Sequence, residues 1–452
     1  MSEEPTLRVV SAQELSFACP EAVQALAREQ AGQILADVKT NGKSSLIEHA
    51  IRLGDIKEGE ALTRTRAELE AAFRSLPTDE QELLERTAGR IRTFAEAQRA
   101  SVTEAEIDIP GGRAGHTVAP VQAAGCYAPG GRYPLPSSVL MTAVTARTAG
   151  VELVFVASPR PSNVTLGAAF VAGADGFLCV GGAQAVAALA YGIPSDEPGS
   201  SPIVPTCDVI VGPGNRWVTA AKSLVSGICA IDMLAGPSEV LVIADSSADA
   251  STVAADLLAQ AEHDVDARPI LVAVGGGSLE EGQRIVDAVN LELQKQLAVL
   301  STAPTARQAT EKGFAVVAKN MDAAIKISDQ IAPEHLEVMT EDAQGVASRC
   351  EHYGGLFIGA IAAEVLGDYG AGPNHVLPTG GTARFSGGLS VFNFLRVRTW
   401  MRIDDAQASQ QVVRDAVQLA RLEGLEGHAK AAEKRLLPEE EGKEPQGKKQ
   451  KA

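Results

Sequence analysis

Short apolar runs rich in β-branched residues alternate with alanine-rich stretches through the middle of this sequence. The first set of runs is VELVFVAS, DGFLCV and CDVIVG, and it is interleaved with SVLMTAVTARTAG, AQAVAALAYG and RWVTAAKSLVSG. A second set, AIDML, EVLVIAD and PILVAVGG, begins at Ala230 and is separated by helical segments such as ASTVAADLLAQAEHD. Repetition of strand, glycine-rich turn and helix is typical of parallel sheets with crossover helices. The sequence therefore predicts two α/β units, as found in large nucleotide- or cofactor-binding proteins.

Helical segments flank this α/β region. From residue 20 to about residue 100, apolar residues recur every three or four positions in EAVQALAREQAGQILADV and EQELLERTAGRIRTFAEAQ. Glycine and proline interrupt the pattern after Ile107, which predicts a domain boundary near Gly125. Beyond residue 402 a helical pattern returns and ends at PEEEGKEPQGKKQKA, which we expect to be disordered. Its KKQK ending is either a solvated tail or a basic address signal.

Charge and length exclude several classes of protein. Of 452 residues, 40 are Lys or Arg and 57 are Asp or Glu, so the net charge of -17 disfavours a nucleic-acid partner. No stretch approaches the roughly 18 to 20 apolar residues of a membrane span, and MSEEPTLRVV lacks the features of a signal peptide. We therefore expect a cytoplasmic protein with no membrane partner.

The cysteines are scattered singly along the chain, without a Cys-x-x-Cys pair. This spacing excludes a cysteine-based zinc finger and predicts reduced core residues, with Cys126 the exception because it adjoins a glycine-rich loop. They are Cys19, Cys126, Cys179, Cys207, Cys229 and Cys350.

Two glycine-rich turns each follow an apolar run and precede a helical stretch. They are VGGAQ, residues 180–184, and VGPGN, residues 211–215. Glycine lets the backbone approach a ligand, and the N-terminus of the following helix offers free N–H groups to a phosphate. Neither turn has the G-x-G-x-x-G pattern, so a tight turn that only packs a helix on a sheet is the alternative.

Two pairs of residues could carry chemistry in the second α/β unit. Gln260 and His263 are three residues apart in DLLAQAEHD, so on a helix they would share a face and could bind a divalent metal such as Zn²⁺, or be an ordinary surface pair. Glu334 and His335 follow Ala-Pro, which predicts a helix that starts at or just after Ala332. There they are either a general acid/base pair or a dipole-stabilised Glu beside an ordinary His.

Two further candidates lie near the C-terminus. GDYGAGPNH, residues 367–375, is too rich in glycine for regular structure and presents Asp368 and His375 as candidates for ligation or substrate binding. Glu423 and His428 lie five residues apart on a helical segment, so joint action would need a bend at the glycines between them.

Taken together, these motifs resemble histidinol dehydrogenase from about residue 7 to residue 436. The specific blocks are YAPGGRYPLPSSVLMTA, GGAQAVAALAYG, VGPGNRWVTAAK, DMLAGPSEVLVIAD, DLLAQAEHD, IAPEHLE and GDYGAGPNHVLPTGG. The resemblance implies zinc-dependent oxidation of L-histidinol to L-histidine through L-histidinaldehyde, with reduction of two NAD⁺, at the end of histidine biosynthesis. It also implies one Zn²⁺ per subunit and a homodimer with a shared active site.

The resemblance assigns roles to individual residues. Glu334 and His335 would be catalytic, and His375 receives no role. The metal ligands would be Gln260, His263, Asp368 and His428, the last from the partner subunit. The NAD-contacting residues would be Tyr127, Gln184 and Asn215. The substrate-binding residues would be Ser238, Gln260, His263, His335, Asp368, Glu423 and His428.

The implied fold is α/β, with two Rossmann-like parallel-sheet domains and helical N- and C-terminal appendages in an intertwined homodimer. Residues 1–30 would be an N-terminal extension, and residues 31–125 with 239–385 a larger α/β domain that carries the metal and catalytic residues. Residues 126–238 would form the Rossmann-like NAD-binding domain, 386–437 a C-terminal helical dimerisation segment, and 438–452 a disordered tail.

Two stretches, residues 131–135 and GGLSVFNFLRVRTWMRI, are less familiar in this family. Related dehydrogenases oxidise other small alcohols, including a sulfonated propanediol. Arg132 could serve such an anionic substrate, contact an NAD phosphate, or be a surface charge. Glu423 and His428 favour histidinol, because a carboxylate suits an ammonium group and not a sulfonate. A nonenzymatic NAD-binding or scaffolding role is the alternative of another class.

Overall fold

A computed structural model describes residues 5–15, 23–130 and 134–438 of the chain. Arg132, Cys19 and nearly all of the predicted disordered tail lie outside these residues. The chain folds into two compact units. The first comprises Met1–Ala100 and Pro120–Leu395, and the second comprises Ser101–Ala119 and Arg396–Ala452.

The strands of the described residues are short, with two to nine residues each. They are β1 (Arg8–Val9), β2 (Thr63–Thr65), β3 (Ala105–Ile109), β4 (Gly112–Pro120), β5 (Ala123–Tyr127), β6 (Leu153–Ala157), β7 (Gly176–Leu178), β8 (Val209–Val211), β9 (Ala230–Ile231), β10 (Glu239–Ala244), β11 (Arg268–Val274), β12 (Phe314–Ala318), β13 (His335–Met339), β14 (Gly355–Ile358) and β15 (Leu395–Ile403).

Helices connect most of these strands. They are α1 (Ala25–Arg52), α2 (Arg66–Arg74), α3 (Thr78–Ala100), α4 (Pro136–Ala149), α5 (Asn163–Ala172), α6 (Gly182–Tyr191), α7 (Arg216–Val225), α8 (Ala250–Ala261), α9 (Leu279–Leu297), α10 (Ala303–Lys312), α11 (Met321–Ile331), α12 (Ala343–Ala347), α13 (Glu364–Asp368), α14 (Gln410–Leu422) and α15 (Glu426–Glu433), with 3₁₀ turns at Thr382–Arg384 and Val391–Phe394.

Two six-stranded sheets organise the first unit, which confirms the predicted parallel α/β architecture. Sheet A has the order β1-β12-β11-β10-β13-β14, and all of its pairs are parallel. Sheet B has the order β2-β7-β6-β5-β8-β9, and only the pairing of β2 with β7 is antiparallel. Their central strands are continuous apolar runs because helices cover both faces of each sheet.

The direction of chain progression reverses once in each sheet. In sheet B the chain moves outward from β5 through β6 to β7, and then returns to the other side of β5 with β8. In sheet A the corresponding reversal lies between β10 and β13. Ligands of open α/β sheets commonly bind in the crevice at such a reversal.

The N-terminal helices pack on the helices of sheet B. Helix α1 contacts α6 and α7, α2 contacts α5, and α3 contacts α4. Residues 31–125 were predicted to belong with residues 239–385, but the buried residues of these helices share a hydrophobic core mainly with residues 121–233. The expected boundary near Gly125 falls within the buried strand β5. An amphipathic stripe shows that a helix is buried on one side but does not identify the sheet that covers it.

The second unit contains sheet C, with the order β15-β4-β3, and the helices α14 and α15. Strand β15 lies inside residues 386–437, which were expected to be helical. Its sequence LRVRTWMRI alternates apolar residues with arginine at most positions, which is the period of two of a strand, and most of its residues are exposed.

Two further expectations concerned cysteines and membranes. The five cysteines of the described residues are buried and form no disulfide, as predicted. Cys126 was expected to be the exception, but it lies in the core, where burial raises its pKa to about 12. Within the described ranges, no helix combines the length and apolarity that crossing a membrane requires.

Candidate functional site

Glu334 and His335 lie at the start of a buried strand and not at a helix N-terminus, so the predicted helix is wrong. Ala332 ends α11 in a left-handed conformation with φ 50°, and the chain then enters β13 through Pro333. The fixed φ of proline suits entry into a strand as well as the first turn of a helix. Glu334 and His335 are 6% and 4% exposed.

The pairing of β13 with β10 brings a further carboxylate to this point. His335 is in register with Val240, so the preceding residues Glu239 and Glu334 meet at the amino ends of the two strands. The backbone N–H of Glu239 donates to Oε2 of Glu334 at 2.9 Å. The Glu239 carboxylate accepts from the Gly380 N–H at 3.0 Å and from Arg268 at 3.2 Å.

The imidazole of His335 is held between carboxyl groups. Nδ1 lies 3.1 Å from the carbonyl oxygen of Glu239, and because a carbonyl only accepts, Nδ1 carries a proton. Oε2 of Glu364 is 3.5 Å from Nδ1, and Oδ1 of Asp368 is 3.6 Å from Nε2. Nε2 is buried without a hydrogen-bond partner among the described residues. It is therefore the ring nitrogen that can exchange a proton with a ligand.

This arrangement shifts the pKa values of the whole group. Burial alone lowers the pKa of His335, but the charges of Glu334, Glu364 and Asp368 outweigh burial and hold it well above its ordinary value. Burial raises the pKa of Glu334 to about 8. Burial also raises the pKa of Asp368, but the attraction of the neighbouring His335 outweighs burial and lowers it. Acid and base forms thus coexist in one buried centre near neutral pH.

Two of the predicted metal ligands, His263 and Asp368, lie at this centre. Asp368 is the last residue of the short helix α13 and not part of an irregular loop, and its Oδ2 is 3.7 Å from Nε2 of His263. Helix α8 ends at Ala261, so His263 lies in the turn beyond it. The amide of Gln260 is 1% exposed, and neither its oxygen nor its nitrogen has a partner in the part of the chain that is described.

His375 contacts the backbone of Asp368. Its Nδ1 is 2.9 Å from the carbonyl oxygen of Asp368, and its Nε2 is 3.4 Å from the Ser138 hydroxyl. Burial lowers the pKa of His375, which favours the neutral ring. His375 thus fixes the backbone of Asp368.

Three buried carboxyl groups in this region were not predicted as site residues from the sequence. Glu364 and Glu337 are each 1% exposed, and the Glu364 N–H donates to Oε1 of Glu337 at 2.8 Å. The carboxyl groups of Glu337 and of Asp256 on α8 are close enough to shift each other's pKa, and Glu337 Oε2 and Asp256 Oδ2 have no hydrogen-bond partner among the described residues. A signal was available for Glu337, because a carboxylate inside the apolar run HLEVM has to find a buried polar partner.

The remaining predicted substrate residues lie in different parts of the fold. Ser238 directly precedes Glu239, and its carbonyl oxygen accepts from the Arg268 N–H at 3.0 Å. Glu423 caps the C-terminus of α14, and His428 lies in α15. Both of these are exposed residues of the second unit.

The three predicted NAD-contacting residues lie at the carboxyl edge of sheet B. Tyr127 ends β5, and its hydroxyl oxygen accepts from the Gly182 N–H at 3.2 Å. Asn215 caps α7, with Oδ1 accepting from Trp217 N and Val218 N at 3.1 and 3.2 Å. Gln184 lies in the first turn of α6. Both glycine-rich turns therefore lead from a strand into a helix, as predicted, and β5 and β8 flank the point of reversal.

A buried ion pair shapes the second of these turns. The Gly212 N–H donates to Asp232 at 2.7 Å, and Lys222 donates to the Gly212 carbonyl oxygen at 3.0 Å and pairs with Asp232. Gly212 has φ 118°, and a Cβ there would lie 2.0 Å from the Tyr127 carbonyl oxygen. Only glycine fits this close approach of two backbone segments.

The fold and the site define an α/β enzyme that combines a buried acid–base centre with a dinucleotide-type sheet. The family described as histidinol dehydrogenase matches residues 19–436. The chain belongs to the histidinol dehydrogenase family of oxidoreductases.

Individual relatives agree with this assignment. A histidinol dehydrogenase of Aromatoleum aromaticum is 41% identical over 411 residues, which cover 89% of this chain and 90% of that protein. One from Thermus thermophilus is 44% identical over 366 residues, covering 80% and 84%. The crystal structure of histidinol dehydrogenase from Elizabethkingia anophelis has a TM-score of 0.85 at 28% identity and covers 95% of this chain and 98% of that one. The fold is therefore shared over nearly the whole length.

Proposed function

We propose that this protein oxidises L-histidinol to L-histidine through L-histidinaldehyde, with reduction of two NAD⁺, in the last steps of histidine biosynthesis. The observation that carries the proposal is the buried His335, whose Nδ1 is fixed by a carbonyl oxygen and whose Nε2 has no partner among the described residues. Related proteins named histidinol dehydrogenase match 80 to 96% of the chain, which supports the same substrate.

The residues around Asp368 fit a zinc ion. We assign Gln260, His263 and Asp368 as ligands, with His428 of the partner subunit as the fourth. Among the described residues, no group of three or more side chains drawn from His, Cys, Asp and Glu is arranged so that it could hold a metal ion. However, the buried amide of Gln260 has no hydrogen-bond partner among the described residues, Asp368 Oδ2 lies 3.7 Å from His263 Nε2, and nitrogen and oxygen donors are ligands that Zn²⁺ accepts.

Different residues of this chain act in the oxidation of the alcohol and in the oxidation of the aldehyde. Zinc held by Gln260, His263, Asp368 and His428 of the partner subunit would supply a Lewis acid for the nitrogen donors of the substrate, and bound NAD⁺ would supply the hydride acceptor for each oxidation. In its neutral form, with the ring proton on Nδ1, His335 accepts the proton of the alcohol on Nε2. Glu334 then takes a proton from the water that adds to the aldehyde carbon. Ser238 and Glu423 complete the substrate shell, in which the Glu423 carboxylate suits the substrate ammonium group.

The cofactor and domain assignments complete the proposal. Tyr127, Gln184 and Asn215 contact NAD at the carboxyl edge of sheet B, and the strands of sheet B with the helices that pack on them form the NAD-binding domain. Residues 239–385 carry the metal and catalytic residues. The reversal between β5 and β8 supports the NAD assignment, because dinucleotides bind at such points in doubly wound sheets. We also assign the protein to the cytoplasm.

The stoichiometry of the reaction tests the function. Purified protein is incubated with L-histidinol and NAD⁺, and NADH is counted per substrate consumed. A ratio near two is expected. A ratio near one with a different small alcohol would indicate a sister dehydrogenase, and NAD binding without turnover of any alcohol would indicate a binding protein.

We further propose that two subunits share each active site, within an intertwined homodimer. The proposal rests on the family assignment, and on Glu423 and His428 belonging to the second unit whereas the residues of sheet A belong to the first. Inactive His428→Ala and His263→Asn chains are mixed and allowed to exchange. Heterodimers should regain up to about half the activity per dimer, because one of their two sites has all its ligands. Verified exchange without any recovery would show that each site is built within one chain.

A further inference from the structure

The N-terminus of α6 is occupied by the protein's own side chains. The Gly181 N–H donates to Oδ2 of Asp55 at 3.0 Å, and the Gly182 N–H donates to the Tyr127 hydroxyl oxygen at 3.2 Å. The carboxylate of Asp55 also satisfies the positive end of the helix dipole. A phosphate at this turn would have to displace Asp55, so the turn does not offer the free anion site that its glycines suggested.

Asp55 also determines how the amide of Gln184 is oriented. Nε2 of Gln184 donates to the same oxygen, Oδ2 of Asp55, at 2.8 Å. A carboxylate only accepts hydrogen bonds, so the NH₂ group of the amide must face Asp55 and the amide oxygen must point away. Gln184 is 2% exposed, which leaves the amide little freedom to turn without losing this bond.

The amide oxygen of Gln184 is left as a buried acceptor. Oε1 has no hydrogen-bond partner among the residues that the structure describes. It lies against Gly182, where a Cβ would be only 2.7 Å from it, so the glycine leaves room beside the oxygen. A buried acceptor without a donor costs about 1–3 kcal/mol, which a ligand that supplies the donor would recover.

We propose that Asp55 is a positioning residue for the dinucleotide: it holds Gln184 so that Oε1 accepts a hydrogen bond from a donor group of NAD. The donor is an N–H or O–H group of the cofactor, either a ribose hydroxyl or the carboxamide NH₂. This inference rests on the proposed function, because it requires NAD as the cofactor and Gln184 as one of its contacts.

A double-mutant cycle read by NADH fluorescence titration of the full-length protein tests the inference. Asp55→Ala and Gln184→Ala should each raise the NADH dissociation constant about five- to tenfold, the loss of one hydrogen bond. The double variant should bind no more weakly than either single variant, because Asp55 acts only through Gln184. Asp55→Asn should bind nearly as the wild type does, since its amide oxygen can accept both bonds in place of Oδ2.

The matched control is Asp342→Ala. Asp342 caps α12 through the Gly345 N–H at 3.0 Å, so this variant loses a comparable helix cap away from sheet B. It should bind NADH as the wild type does. Displacement of NADH by ADP-ribose identifies the donor: an equal loss of ADP-ribose affinity in Asp55→Ala indicates a ribose hydroxyl, and an unchanged affinity indicates the carboxamide.

Two results would overturn the inference while leaving the proposed function intact. One is an NADH affinity of Asp55→Ala that equals the wild-type value. The other is a loss of NADH affinity on Asp55→Ala that is as large in the Gln184→Ala variant as in the wild type. A wild-type protein that binds no NADH would instead refute the proposed function and the inference with it.

Discussion

Replacing Glu337 by glutamine should make this protein more stable than the wild type at pH 8. Glu337 lies in β13 and accepts a hydrogen bond from the Glu364 N–H, while its Oε2 and Oδ2 of the interacting Asp256 carboxyl group have no other partner among the described residues, so a proton shared between them would satisfy both. Two carboxyl groups can share a hydrogen bond only if one of them keeps its proton. Burial accordingly raises the pKa of Glu337 to about 8 and that of Asp256 to about 6. Glutamine would supply a permanent N–H donor to Asp256 and still accept from Glu364.

The direction of the pH effect follows from proton linkage. The pKa of Glu337 is raised from 4.5 to about 8 in the folded protein, so between these values the folded state holds a proton that the unfolded state has released. The free energy of unfolding therefore falls as the pH rises through this window, by up to about 1.4 kcal/mol per pH unit for one proton. From pH 5 to pH 8 the wild type should lose roughly 2–4 kcal/mol relative to Glu337→Gln.

Urea denaturation followed by circular dichroism at pH 5.5, 7.0 and 8.5 measures this difference. The control is Glu341→Gln, which changes an exposed residue shortly after the same strand and should follow the wild type at each pH. If the free energies of unfolding of the wild type and Glu337→Gln change in parallel with pH, the folded protein does not hold an extra proton on Glu337. A variant that is destabilised at every pH would show instead that the site does not accept an amide.

Four further outcomes are expected. His335→Asn should lower turnover by roughly 10² to 10⁴ with zinc content unchanged, and near-normal turnover across the pH range would remove His335 from the mechanism. His263→Asn should lose zinc and activity but keep its circular dichroism spectrum, since catalytic metal sites seldom hold a fold together; global unfolding would contradict this. Glu334→Gln should slow oxidation of the aldehyde more than oxidation of the alcohol, so an equal loss in both half-reactions argues against water activation. Gly212→Ala should lower thermal stability far more than Gly227→Ala, because both positions have positive φ but only Gly212 meets a backbone oxygen, and equal losses would show that this turn relaxes.

The sequence by itself determined the architecture and the types of residue at the site. Strands covered on both faces need continuous apolar runs, so EVLVIA and PILVAV could be recognised as parallel strands without knowledge of their neighbours. The glycine-rich turns before α6 and α7 were equally visible, because the positive φ of Gly182 and Gly212 is a local requirement. The resemblance of whole motifs to one family supplied the residue roles that spacing alone left open.

Only the tertiary structure decided how these residues act on one another. Ala-Pro-Glu-His fits a helix start as well as a strand start, and the pairing of Val240 with His335 selects the strand. His263 and Asp368 are more than 100 residues apart in the chain, so their approach to each other depends on how α8 and α13 pack together. The raised pKa values of Glu334 and Glu337 have the same origin, because burial depends on everything that covers a carboxyl group and no local pattern records it.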